Sequence, residues 1–547
     1  MCIVRLVLPL LLAATVGLAR AQNTLRVPAD FPTVQAAILA AIDGDTVLVA
    51  PGIYVENVDF LGRAIAVVSS AGPELTILDG ASLPIPVVTF ANGEPDTAVL
   101  SGFTVRYGAA GGILVDGRSS PTIVGNLVRD NADCLDGAGI EVHSASPRIV
   151  GNVLQDNFQP IFCWGASGGA IAVVGDCAGT EITGNVITGN IHSAGAGLSI
   201  SSPGLVVVTG NLVQGNATFG LCASPGAGIF AAGRVRLVQN LVTGNSSPIA
   251  GGGLHLEVFS GAPMAVVNNT VVGNDAPIGT AVYVPNGLST PCTLENNVFA
   301  GRGAPSAVFS PTLNVLLAAF RNNDVWNPGG APYAGGMPDP TGTWGNFSAD
   351  PLFANPLGGD FHLLPSSPCI DAGFAGAPFL SPTDADGDPR IYDGNADGSA
   401  VVDVGWDEYS PVASFGSACP GSGGFLPNAG VSGPTPAVGN GGFALTLSNA
   451  LGGSAAFLLS GLAPLPAPVN LFFFGLPDCS LLVPPFLLAV SPVSGSGPGV
   501  GTVSLPLPIP NDPLLHGARV FFQWYVTDPG PALLPGAMSA GLDVTVL

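Results

Sequence analysis

The sequence contains no lysine: its fourteen basic residues are all arginine, set against 37 acidic ones, for a formal net charge of −23. Lysine Schiff-base chemistry is thereby excluded. Such an acidic chain repels nucleic acid and anionic lipid, so neither is expected as a partner. Charged residues of both signs make up only 9% of the chain. No long apolar run free of proline and glycine occurs beyond Leu6 to Leu18, and that run is short for a membrane span. With Arg5 before it and Ala19-Arg20-Ala21 after it, the run has the form of an export signal over residues 1–21. The mature chain is expected to start at Gln22 and to be secreted, without a membrane span. No CxxC or Cys/His spacing suggests zinc. Of nine cysteines, Cys2 falls in the leader, and the even remainder suits disulfides in an exported protein. Cys419 and Cys479 are the only pair in the last segment and are expected to bridge. Cys134 with Cys163, in corresponding loops of neighbouring repeats, is a second pairing.

Glycine (77) and proline (51) are abundant, yet the mean hydropathy of +0.50 argues against disorder. The central region repeats: GNLVRDN (125–131), GNVLQDN (151–157), GNVITGN (184–190), GNLVQGN (210–216), QNLVTGN (239–245) and NNTVVGN (268–274), fading into NNVFAGR (296–302) and NNDVWNP (322–328). A recurrence of this length built from short β-rich pieces is a solenoid signature, and the frequent Gly and Pro forbid helical repeats. A second segment recurs between these: AGIEVH (138–143), GAIAVV (169–174), AGLSIS (196–201), AGIFAA (227–232) and GGLHLE (252–257). Period-two alternation points Ile140, Ile171, Leu198, Ile229 and Leu254 inward, together with Val142, Val173, Ile200, Ala231 and Leu256. The recurring Asn residues are expected to stack in ladders at turns, bonding the backbone or the next Asn. Residues 33–42 have helical spacing, with Thr33 as N-cap and Asp43-Gly44 as stop, and are expected to cap the N-terminal end. A strand over 45–58 then opens the stack.

The run FPTVQAAILAAIDGDTVLVAPGIYVENVDF (31–60) resembles the opening of pectin-lyase-like β-helix proteins, and the GN…GN coils resemble NosD-type right-handed β-helix regions. The resemblance covers roughly residues 24 to 410 and implies an all-β right-handed parallel β-helix. That scaffold hosts lyases, hydrolases, esterases, epimerases and non-enzymes, so it does not by itself imply an activity. The opening is similar to that of pectin methylesterases, but their QDTL-, DFIFG- and LGRPW-like segments are missing. Also missing are polygalacturonase-like NTD, GHG and RIK signatures, the DPHD motif of alginate epimerases and a pectate-lyase-like WIDH segment.

Alternation directs Glu141, His143, Phe230, His255 and Glu257 outward. Phe230, His255 and Glu257 lie on neighbouring coils and form the candidate patch: a His beside a Glu suits a general base, and a Phe suits a sugar ring. Scattered solvated side chains are the commoner meaning of such a pattern. Glu141 and His143 fall about four coils away, roughly 19 Å, too far to act with that patch. Arg106 with Tyr107, and Arg234 with Arg236, suit an anionic sugar or simple solvation. His192 and Cys222 fall in turns, where packing is the default.

Residues 339–409 form an acidic terminal section, expected to close the solenoid. Asp393, Asn395, Asp397 and Asp403 resemble part of a calcium loop, although Val404 stands where an EF-hand has its bidentate Glu. A structural calcium ion there and a set of Asx-turns are equally open; Asp384, Asp386 and Asp388 form a second acidic group. From 410 to 547 the strand spacing suggests a small β-sandwich, similar to a C-terminal module of large secreted bacterial proteins, with Phe521, Trp524 and Tyr525 expected in its core. The β-helix proper is assigned to residues 22–338. The expected function is extracellular and monomeric: binding of polysaccharide or a cell-surface component, or a purely structural role, without a recognisable catalytic site. The alternative is a polysaccharide lyase or glycoside hydrolase working in a groove on the helix flank.

Overall fold

A computed structural model describes residues 22–134, 136–160, 168–219, 226–258, 262–285, 292–303, 306–312, 320–421, 423–433, 435–476, 478–528 and 536–547. The described residues between 22 and 347 wind into a right-handed parallel β-helix whose coils have three faces. In one coil these are Ile140–His143, Arg148–Val150 and Val153–Gln155; in the next, Ile171–Val174, Thr180–Thr183 and Val186–Thr188. Like stacks on like: Ile140 pairs with Ile171, Ile149 with Ile182 and Leu154 with Ile187, all in parallel register. The third faces form an eleven-stranded parallel sheet. The first and second faces fuse where Leu198–Thr209 and Ile229–Val238 run through both.

The expected inward residues are inward. Ile140, Ile171, Leu198, Ile229 and Leu254 are fully buried, as are Val142, Val173, Ile200, Ala231 and Leu256. Period two makes this inevitable once the register is set, because a slip of one residue would turn every apolar side chain outward.

Two asparagine ladders run along the turns flanking the third face. Asn126, Asn152, Asn185, Asn211, Asn240, Asn269, Asn297 and Asn323 each donate a main-chain N–H to Oδ1 of the next member, ending on Asn346. Asn131, Asn157, Asn190, Asn216, Asn245 and Asn274 repeat the arrangement. The long spacing between Asn152 and Asn185 leaves the ladder intact at 2.9 Å.

The capping helix spans Val34–Ala40, with Thr33 Oγ1 accepting from Ala36 N and Val34, Ala37 and Ile38 buried. It ends at Ala41, which is already extended, before the expected Asp43-Gly44 stop. Glu56 accepts the otherwise orphaned N–H groups of Val34 and Gln35. The strand expected over 45–58 is three short ones, Thr46–Val49, Gly52–Val55 and Val58–Asp59, and the stack opens earlier, at Thr24–Val27.

The C-terminal module pairs a five-stranded antiparallel sheet with a three-stranded one. The first runs Val412–Phe415, Gly536–Thr545, Arg519–Thr527, Ala455–Gly461, Phe486–Pro492; the second runs Asn428–Ser432, Ala444–Gly452, Gly497–Pro506. Trp524 and Phe521 are buried and Tyr525 half-buried. The Cys419–Cys479 disulfide is present. Cys134 is disulfide-bonded, while Cys163 and Cys222 lie outside the described residues, as does the expected leader. Among the described residues no helix is long and apolar enough to cross a membrane.

Candidate functional site

The structure brings Phe230, His255 and Glu257 together, but not as an open patch. Phe230 pairs with His255 and His255 with Tyr283 across successive coils, and Tyr283 with Phe309. Their rings form a ladder at centroid spacings of 5.0, 5.1 and 5.9 Å. The His255 side chain is only 2% exposed. Glycine turns preceding the first-face strands lie over this column: a Cβ on Gly226 (φ +96°) would fall 2.7 Å from His255 Cβ, and one on Gly251 (φ +62°) 3.2 Å from Tyr283 Cβ. Neither ring nitrogen of His255 makes a hydrogen bond; Nε2 lies 3.4 Å from Glu257 Oε1, an ion-pair contact without hydrogen-bond geometry. That contact pulls the Glu257 carboxyl below its ordinary pKa. His255 is thus an enclosed side chain rather than one presented on the surface.

Glu141 and His143, set aside by sequence as too distant to help His255, instead form their own cluster with Asp136. His143 Nε2 bonds Glu141 Oε1 and lies 3.6 Å from Asp136 Oδ2. The bond to Glu141 raises the His143 pKa; burial and the neighbouring Glu141 raise that of Asp136. His192, expected in a turn, lies in the short strand Ile191–His192 paired with Ala217–Thr218; it is buried, and burial lowers its pKa to about 4.

Residues 339–347 of the acidic section close the end of the coils, Asn322 N donating to Trp344 O and Val325 N to Phe347 O, while the later part lies along the outer side of the third face. Asn268 Nδ2 donates to the carbonyls of Asp403 and Gly405, Gly405 N to Asn296 O, and Trp406 N to Thr270 Oγ1. Val298 and Ala300 pack there with Leu363, Cys369, Ile370 and Val404. The physical reason is the outer column of the late coils, where the segment buries apolar Leu241 and Val298 and bonds the hydroxyl of Thr270 between them. Arg390 anchors it: fully buried, the guanidinium donates to the carbonyls of Asp407, Gly405 and Trp406 and lies 3.5 Å from Glu408.

Of the calcium candidates, Asp393 accepts from the N–H groups of Asp397 and Gly398, and Asn395 from Asp397 N. Asp403 is buried apart from them, its carboxylate taking Asp371 N and Tyr409 N. Burial raises the pKa of both Asp403 and Glu408. Among the described residues, three donors converge closely at only two places, Asp136–Glu141–His143 and His362–Asp386–Asp407. The Asp393 loop is not one of them.

The second convergence marks the site that sequence reading missed. Alternation along Asp360–Leu363 puts Asp360 and His362 on one side of a strand, a signal visible in DFHLL. His362 Nδ1 lies 2.6 Å from Asp360 Oδ1 and Nε2 2.7 Å from Asp386 Oδ2. Asp384 holds the Asp386 turn by accepting the N–H groups of Asp386 and Asp388. The bond to Asp386, opposed by burial and aided by Asp407, pushes the His362 pKa up to about 10. Burial raises Asp388 and Asp407 to about 6 each.

His362 faces two hollows. One, of about 290 Å³, is lined by Asp360, Asp386, Asp388, Asp407 and Glu408, with Arg519 and Asp543 of the C-terminal module. The other, about 230 Å³, lies where the uncovered third face meets the acidic section, between Leu212, Gln214, Leu241 and Thr243 on one side and Phe361, His362 and Trp406 on the other. The His362 and Trp406 rings are 5.5 Å apart. From this groove the third face continues uncovered, with an aliphatic column, Leu127, Val153, Val186 and Leu212, beside a polar one, Arg129, Gln155, Thr188 and Gln214.

No protein-family model matches the chain, and no curated protein matches it. Among solved structures, the tailspike protein gp49 from Acinetobacter baumannii bacteriophage Fri1, a capsular polysaccharide depolymerase, aligns over 96% of this chain and 85% of its own, at 9% identity and a TM-score of 0.29. A likeness that low carries no argument; the β-helix rests on the strand pairing above.

Proposed function

We propose that this chain is a secreted β-helix protein of pectin-lyase-like type that binds polysaccharide along its third face, ending in the groove at Trp406 and His362. The observation that carries the reading is that groove. It sets an indole and aliphatic side chains beside Gln214, Thr243 and His362. Apolar surface suits the C–H face of a sugar ring, and the polar groups suit its hydroxyls. The paired aliphatic and polar columns repeat once per coil, about 4.8 Å apart, so a chain of sugars meets the same chemistry at each step. The acidic surface favours neutral or cationic glycans over polyuronates.

The test is a glycan panel with the purified mature chain, read by affinity electrophoresis and calorimetry. Binding is expected to at least one neutral polysaccharide, weakened at least tenfold by Trp406→Ala or Gln214→Ala and unchanged by His255→Phe. Release of reducing ends or of unsaturated products would replace binding with catalysis. No binding across the panel, or binding indifferent to Trp406, would overturn the proposal.

A further inference from the structure

We propose that His362, Asp386 and Asp407 hold a divalent cation of the zinc or manganese class at the seam between the acidic section and the β-helix flank. The site differs from the calcium-like loop at Asp393 in place and in donor chemistry, and the proposal does not depend on glycan binding.

Three independent chain segments supply the donors: the strand Asp360–Leu363, the turn held by Asp384, and the stretch carrying Trp406 and Asp407. Their ligand atoms lie within 4.8 Å of one another. His362 Nε2 and Asp386 Oδ2 are 2.7 Å apart. Metal–nitrogen and metal–oxygen bonds of about 2.0–2.2 Å in tetrahedral geometry place such a pair about 3.4 Å apart, so under about 1 Å of opening admits the ion. Asp360 already occupies Nδ1 of the imidazole, the carboxylate–histidine arrangement that orients a ligating ring and strengthens it as a donor.

Beside the His362 contacts, two buried carboxylates are incompletely hydrogen-bonded. Asp407 is only 5% exposed, and its carboxylate takes one hydrogen bond, from Leu363 N. Glu408, also buried and lining the same hollow, has a carboxylate oxygen, Oε1, with no hydrogen-bond partner at all. Buried carboxylates are ordinarily paired or bound to metal. Arg390 lies against Glu408 but spends its hydrogen bonds on main-chain carbonyls. A nitrogen donor beside carboxylates favours zinc or manganese over calcium, which takes six to eight oxygens.

The experiment uses chelator-treated full mature chain. Zn²⁺, Mn²⁺ and Ca²⁺ are titrated separately by calorimetry, and Co²⁺ is added as a visible-absorption probe. One saturable Zn²⁺ or Mn²⁺ site is expected, with Co²⁺ bands in the visible. His362→Gln and Asp407→Asn should each weaken the site at least tenfold, while Asp393→Asn leaves it unchanged. Wild-type chain that shows neither saturable heat nor Co²⁺ bands overturns the proposal without reference to any variant. So does binding of Ca²⁺ alone that is lost in Asp393→Asn and kept in His362→Gln. Loss of glycan binding with metal binding intact would count against the preceding proposal only.

Discussion

The main-chain N–H of Asn211 donates to Oδ1 of Asn240 at 3.0 Å, and the Asn211 side-chain amide reaches the same oxygen at 2.9 Å. Asn240 in turn donates to Val208 O and to Asn269 Oδ1. One buried amide therefore satisfies two backbone groups of the preceding turn, where sheet hydrogen bonds are unmade, and ties that turn to the next member of the ladder.

Truncating Asn240 to Ala strands the Asn211 N–H and the Val208 carbonyl in the interior. The expected loss is about 1–3 kcal/mol for each buried group left unpaired, read as a lower urea midpoint. Gln214→Ala, on the exposed outer face, should change stability by less than about 0.5 kcal/mol. Equal effects at the two positions would remove the ladder from the account.

His255→Phe should leave the fold intact and its melting temperature unchanged or higher. The ring stacks between Phe230 and Tyr283, and its nitrogens make no hydrogen bond, so an apolar ring keeps the packing and removes a desolvated polar group. A large loss of stability would mean that the imidazole nitrogens are engaged after all.

Asp324 predicts a pH dependence. It is fully buried, accepting from Ala349 N and lying 3.7 Å from Cys369 Sγ, and burial raises its pKa to about 7 from its ordinary 3.8. A carboxyl whose pKa is higher folded than unfolded binds its proton more tightly in the folded state. Its contribution is full below about pH 4 and is lost as pH rises toward 7. Asp324→Asn should flatten the fall in stability across that window in denaturation curves taken at several pH values; an unchanged slope contradicts the assignment.

Arg390→Met removes the guanidinium that gathers the carbonyls of Asp407, Gly405 and Trp406 and leaves Glu408 without its cation. Breaking a buried pair of this kind costs about 3–5 kcal/mol. Hydrogen exchange should show 384–409 opening ahead of the coils, with the ladder amides still protected. Uniform loss of protection would mean that the acidic section and the coils unfold as one unit.

The coils were legible because the same slot carries the same residue type at every turn: Asn at the corners, β-branched or leucine side chains at alternate strand positions. What lay on their outer surface was not. That Gly226 and Gly251 enclose His255 depends on how a turn folds back over its own sheet, which period two does not encode. The position of the acidic section depends on contacts such as Trp406 N to Thr270 Oγ1, between residues far apart in sequence. His362 offered only a local hint, its alternation with Asp360; Asp386 and Asp407 join it through tertiary packing alone.

Hydrogen exchange with and without a bound oligosaccharide tests the central claim, that the third face and its end groove form the binding surface. Added protection is expected at 212–214, 241–243, 359–362 and 406. Protection confined to the Phe230–Phe309 ladder, or to the C-terminal module, would contradict it.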